Sequence, residues 1–226
     1  MEKFIEEPNL PKGRISLALI DGRVPFDMEK KLKEKGIRLI KTFKNNDVLE
    51  AVSYHPDIMV HHLGKNDIIL APNINKGVIE ALEEEGFNII FGREPVKGPY
   101  PGDVPYNAAR VSNYVICNIK TTDIRLLNEL YLRNLNIINV KQGYSKCSTA
   151  VVSKDAIITS DQGIYNAVKN QLDVLLIEPG YIDLFEMDYG FIGGASGCMS
   201  ESEICFFGNI KTHPQHQKIE KFFVKI

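Results

Sequence analysis

The strongest constraint on the fold of this chain is a pattern written five times: an apolar run, a short polar turn, a second apolar run, an Asn or Asp corner, a helical stretch and a β-branched run. It is plainest in DIMVHHL-GKN-DIILAPN, YNAARV-SN-YVICN, KCSTAVV-SKD-AIITSD and GASGCM-SES-EICFFGN, whose corners are Asn73, Asn118, Asp161 and Asn209. The corners are spaced by 45, 43 and 48 residues. A fifth copy, FIEEPNL-PKG-RISLALID, closes at Asp21, 52 residues before Asn73, and leaves room for one extra helical segment in DVLEAVSYH. Repeats of this period build rings or arrays, because one unit cannot bury its own apolar face.

After each corner comes a helical stretch, from PFDMEKKLKEKG to HPQHQKIEKFF, with Asp, Asn or Thr near its start as N-cap and Gly36 and Gly86 as C-terminal caps. Thr212 reads as the cap of the last helix, with His213 and His216 on its surface. The runs IRLIKTF, FNIIFG, NIINV, DVLLIE and FVKI then read as strands. The unit is ββαβ, and five of them predict an α/β fold, a five-bladed β/α propeller with pseudo-fivefold symmetry. The 226 residues are 44% hydrophobic and no linker divides them, so residues 1–226 form one expected domain. The amino-terminal FIEE is expected to be tied into the ring beside the carboxy-terminal FFVKI strand.

A net charge of −2 gives no electrostatic footprint for nucleic acid. Membrane-spanning runs are absent, and the polar MEKFIEEPNLPKGR is no signal peptide. Cys117, Cys147, Cys198 and Cys205 lack metal-finger spacing and sit in apolar runs, which predicts reduced thiols in a cytoplasmic protein with no metal or cofactor.

In a ring of such units the first strand of each hairpin lines the centre. Counting back from each turn reaches Glu6/Glu7, Val60/His61, Tyr106/Asn107, Cys147/Ser148 and Ala195/Ser196, with Cys198 further along the last strand. Two carboxylates, a histidine beside His62, an amide and two thiols converge there. One of His61 and His62 faces inward, since neighbours on a strand alternate. The stiff loop REPVKGPYPGDVPYNAA, residues 93–109, reads as a lid with Asp103 and Tyr106 as polar tips. The glycines of GFIGGASG lack phosphate-loop order and allow close backbone approach instead.

The fivefold unit resembles the pentein fold of the guanidine-group modifying enzymes, among them arginine deiminases, agmatine deiminases and dimethylarginine dimethylaminohydrolases. FIEE at residues 4–7 resembles that family's acidic first-blade segment, and GGASGCMS at 193–200 resembles the approach to its nucleophilic cysteine. The resemblance implies Cys198 as nucleophile, Glu6 or Glu7 as guanidinium ligand, and a hydrolase or transferase acting on a small guanidino or amidino compound. A thiolate attacks the guanidinium carbon, a histidine moves protons, and carboxylates hold the cation. This chain departs from that pattern in its third unit, where PYNAARV carries no histidine. Cys147 in GYSKCST is the alternative nucleophile, with His61 and His62 as candidate bases and Asp103, Asn107, Ser148 and Ser196 as candidate substrate contacts. The alternative function is a catalytically silent binding factor, similar to the pentein-fold ribosome anti-association factors.

Overall fold

A computed structural model describes residues 4–226; Met1, Glu2 and Lys3, which open the polar amino-terminal segment, lie outside the described residues. The first unit holds β1 (Leu17–Ile20), α1 (Phe26–Glu34) and β2 (Arg38–Lys41). The second holds α2 (Pro56–Met59), β3 (Val60–Gly64), β4 (Asp67–Leu70), α3 (Lys76–Glu84) and β5 (Asn88–Phe91). The third holds β6 (Ala109–Val111), β7 (Tyr114–Cys117), α4 (Ile124–Leu132) and β8 (Asn136–Asn139). The fourth follows with β9 (Thr149–Ser153), β10 (Ala156–Thr159), α5 (Gln162–Val168) and β11 (Asp173–Leu176), and the fifth with β12 (Ser196–Ser200), β13 (Glu203–Phe206) and α6 (His216–Lys225).

Each unit is a separate small sheet. In the middle three, the two hairpin strands pair antiparallel and the strand after the helix pairs parallel to the second of them, as in Ile69↔His61 and Ile69↔Ile90. The central strand is therefore covered on both edges and both faces, which is why Ile68, Ile69 and Leu70 are at most 4% exposed. The hairpin turns bend through left-handed residues, Gly64 and Lys65 in one and Ser112 in the next. Helices bury one stripe, Val78 and Leu82 on α3 and Leu126 and Leu130 on α4, positions four apart on one face. Burying each of these leucines contributes about 2–3 kcal/mol.

The apolar clusters join successive units. One runs through the first three, another joins the third to the fourth, and a third joins the fourth to the fifth. A last cluster sets Met199 of β12 against Ile20, Leu32 and Ile37, so the fifth unit packs back on the first. The Ile15 N–H donates to the Met199 carbonyl at 2.9 Å along the same seam.

Three sequence expectations differ from what forms. Residues 4–7 are not a strand, so the first sheet has only two; Ile5 instead accepts from the Lys65 N–H at 2.8 Å, a contact with the β3–β4 turn. FFVKI is helical, the end of α6, because Ile219 and Phe222 share its buried face and no strand of the fifth sheet pairs with it. The helix starts at His216, while Thr212 closes a short 3-10 turn, and His213 is buried instead of exposed. Among the described residues no helix is long and apolar enough to cross a membrane.

The corner residues divide their work. Asp161 caps α5, accepting from the Ile164 N–H at 2.8 Å. Asn73 instead pairs with both backbone groups of Val96 at 2.8 and 3.0 Å, and the caps of α3 and α4 fall to Asn75 and Asp123. Asp123 is 1% exposed and accepts from Leu126 N at 3.0 Å and from Arg93 N and Glu94 N at 2.8 Å each. Its replacement in Asp123→Ala removes a cap and strands two further backbone donors, so urea unfolding should show a loss of about 3 kcal/mol.

Candidate functional site

Three units deliver a polar residue just ahead of their first strand, and the three meet. Asp57 comes from α2, whose first turn is set by Pro56. Asn107 lies two residues before β6 and Cys147 two residues before β9. Asn107 is buried, and its Oδ1 accepts from the Lys146 N–H at 2.8 Å and the Cys147 N–H at 3.2 Å. Its Nδ2 donates to the Asp57 carbonyl at 3.0 Å and toward Cys147 Sγ at 3.0 Å. The Cys147 thiol in turn donates to Asp57 Oδ2 at 3.1 Å. A neutral thiol has one proton to give and a lone pair to receive, and both are engaged here.

The fifth unit closes this site from the side. The Gly194 N–H donates to the Cys147 carbonyl at 2.9 Å, and Lys146 Nζ donates to the Gly193 carbonyl at 3.0 Å. A Cβ on Gly193 would overlap the carbonyl oxygens of Lys146 and Thr149, so the glycine run is there for close backbone approach. Cys147 and Asp57 open onto a cavity of about 2090 Å³, with Tyr144, Lys146 and His55 on the same wall. His55 Nε2 lies 3.7 Å from Asp21 Oδ2, and Arg23 grips that carboxylate at 3.1 and 2.8 Å.

The other sequence candidates scatter around this point. His61 and His62 both reach the cavity wall and face opposite ways from β3. His61 is buried beside the backbone of Tyr106 and Ala108, whereas His62 Nε2 meets the Lys65 carbonyl at 2.8 Å and its ring stands edge-on to Phe87. Glu6 lines the cavity and pairs with Lys12 at 2.6 Å; Ser196 lines it at the start of β12. Glu7 lies off that wall, where its charge acts on the buried Arg110. Cys198 also lies off the wall, its thiol directed 3.2 Å to the Val151 carbonyl.

Asp103 is no lid tip: it is fully buried, accepts from the Tyr144 hydroxyl at 2.5 Å and holds that ring from behind, because Val96, Val104 and Tyr106 pull the loop into the core. Ser148 is buried as well, with its N–H on the Tyr144 carbonyl at 2.9 Å. Asp57, His55 and Asp21 escaped the sequence reading. The signal for Asp57 was HPD ahead of VHH, where a single helical turn displaces the carboxylate from the counted pore position. Among the described residues no three His, Cys, Asp or Glu side chains are grouped to hold a metal ion.

A family described as a family of unknown function, DUF6873, matches residues 19–226. The chain belongs to that family. No curated protein matches it in sequence. Among solved structures, this DUF6873 chain is similar to SxtG, an amidinotransferase from Microseira wollei in the saxitoxin biosynthetic pathway. The TM-score is 0.57 at 10% identity, over 96% of this chain and 89% of that one, which shows a shared fold.

The electrostatics of the site favour neutral groups. Burial pushes the Cys147 thiol well above its ordinary range, and the Asp57 carboxylate pushes it further; the Asn107 amide and Lys146 pull the other way. Cys198 is pushed up to about 11 by burial. His61 is pushed down to about 3, first by burial and then by its neighbours His62 and Arg110. In site-resolved alkylation followed by mass spectrometry, Cys147 should label slowly at pH 7 and faster as pH rises. Asp57→Asn, which removes a cause of the upward shift, should move that profile to lower pH.

His61 gives a test in the opposite direction. The unfolded chain takes up a proton near pH 6.5 that the folded protein refuses until about pH 3. This contribution to stability is present above pH 6.5 and is lost as pH falls toward 3, by up to about 1.4 kcal/mol per unit. Urea unfolding of His61→Gln between pH 4 and 7 should lack that part of the slope.

Proposed function

We propose that this protein is a guanidino-group modifying enzyme of the pentein kind, with Cys147 as its nucleophile. The five small sheets are the blades of a β/α propeller in one domain, closed where Met199 packs on the first unit. The fold likeness to the amidinotransferase SxtG supports that chemistry in general terms. The observation that carries it to a residue is the Cys147 thiol on the cavity wall, 3.1 Å from a carboxylate and 3.0 Å from an amide donor.

At rest this thiol keeps its proton, first because it is buried and then because Asp57 opposes a second negative charge beside it. A guanidinium pairing with Asp57 removes that opposition and adds a cation next to sulfur, so the thiolate forms when substrate is bound. Attack on the central carbon makes the S–C bond. Breaking a C–N bond then releases an amine, which takes up the proton that the thiol gave up and leaves a cationic amidino group on sulfur. The amidino group on sulfur passes to water in a hydrolase or to an acceptor amine in a transferase. His61, kept neutral by burial and on the same cavity, is the proposed proton carrier, and Glu6 and Ser196 contact the substrate farther out. Cys198 is set aside as nucleophile because it lies off the cavity wall, with its thiol directed to the Val151 carbonyl. All four cysteines are free, which fits a reducing compartment.

The second reading is a silent binding factor of the same fold. It is favoured by the protonated thiol and by Asn107 and Arg110 where the third unit of the resembling enzymes carries a histidine. Incubation with a panel of guanidino compounds, followed by intact mass measurement, separates the two. The expected result is an amidino adduct on Cys147, absent from Cys147→Ser and retained in Cys198→Ser. No adduct and no turnover across the panel would leave the binding factor.

A further inference from the structure

Between Lys169 and Lys211 the chain carries seven acidic residues and no Lys or Arg. Asp173 and Glu203 are paired with Lys225, Arg14 and Lys35. Asp183 and Asp188 line the cavity on the loop between β11 and β12, with Glu186 between them, and none of these three forms an ion pair among the described residues. The same loop leaves Tyr181, Phe185, Met187 and Tyr189 exposed by 52, 64, 46 and 38%. Apolar rings and unpaired carboxylates interleaved along one wall suit a cation carrying an apolar body.

Two further observations give this wall a direction and a polarity. Tyr144, three residues before Cys147, packs on Phe191 at 6.0 Å between ring centres, and Phe191 packs on Tyr189 at 6.1 Å. The rings thus run in two steps, of 6.0 and 6.1 Å, from beside the thiol to the acidic loop. His213 lines the cavity with its ring edge-on to Tyr181 at 5.4 Å and is 4% exposed. Its Nδ1 accepts from the Gln215 N–H at 3.0 Å, so the neutral ring carries its proton on Nε2, which is shielded and held toward the Glu178 backbone. The wall therefore offers carboxylates to a cation and rings to apolar groups, with the His213 ring set among them.

We propose that the 181–191 loop and His213 form a second subsite of the cavity, which takes the body of a short basic peptide whose arginine side chain reaches Cys147. The two steps together are at most about 12 Å, within the reach of three to four extended residues. The cavity, at about 2090 Å³, exceeds the roughly 300–1,000 Å³ that a single small ligand fills. That the arginine is chemically modified at Cys147 rests on the function proposed above; the subsite does not.

The test is calorimetric titration of the full chain with acetyl-Phe-Arg-Lys-amide, acetyl-Arg-amide and L-arginine. The tripeptide should bind at least about tenfold tighter than acetyl-Arg-amide, the ratio that one charge-assisted hydrogen bond supplies. The doubly substituted Asp183→Asn/Asp188→Asn should lose that advantage and bind acetyl-Arg-amide as before, with both proteins melting alike. His213→Phe should weaken the tripeptide alone. An equal affinity for tripeptide and acetyl-Arg-amide, no binding of either, or an advantage that survives the double substitution overturns the proposal. Tight tripeptide binding by wild type and Cys147→Ser without any chemistry keeps the subsite and removes the catalytic reading. Turnover of L-arginine with no tripeptide advantage does the reverse.

Discussion

The side-chain amide of Asn107 fixes the geometry on which the cavity depends. Its oxygen is committed to two backbone N–H groups of the fourth unit and its nitrogen to a backbone carbonyl of the second, so one buried residue sets three units in register. Turning the amide over would set a donor against two donors and strand a carbonyl in the interior, which costs about 1–3 kcal/mol for each group left unmet. The thiol inherits this rigidity. Cys147 is held between a donor that favours its anion and a carboxylate that opposes it, and burial decides the resting state for the neutral form.

That local balance exists only because the five sheets pack in succession. The clusters linking neighbouring units bring the starts of β3, β6 and β9 to one place, and the contact of Met199 with the first unit brings β12 to the same cavity. Glycine is required at 193 because the fifth unit's backbone lies against the carbonyls of residues 146 and 149. The run that resembles an approach to a nucleophilic cysteine at 198 thus does its packing against Cys147. In this chain the same glycine-rich segment supports a thiol from the neighbouring unit.

The repeat was legible because hairpins, helices and parallel return strands each leave a periodic apolar pattern, and the middle three units follow it nearly residue for residue. The ends were not. FFVKI has strand-like composition, yet Ile219 and Phe222 bury as a helical stripe once no partner strand is in reach. FIEE had hairpin spacing but lies against the β3–β4 turn, bonded through the Ile5 carbonyl, in place of pairing as a strand. In the site, Cys147 and Asn107 were found by counting along strands, since their units have no insertion. Asp57 was missed because the turn of α2 breaks the count, and Asp103 was misplaced because a polar loop residue gives no sign that apolar neighbours will bury it.

The distribution of unmet polar groups gives the site its own mark. Among the described residues, side-chain atoms of Asp103, Ser148 and Thr149 are buried without a hydrogen-bond partner. Ser148 and Thr149 follow Cys147 directly, and Asp103 stands behind Tyr144, which lines the cavity. Each such group costs about 1–3 kcal/mol relative to an apolar replacement that packs as well. A chain shaped for stability alone would place them elsewhere, and the helices and central strands of the same protein do so. Their concentration around one thiol and one cavity marks the region where the fold gives up stability, and such local violations are expected where a protein is shaped for binding or chemistry.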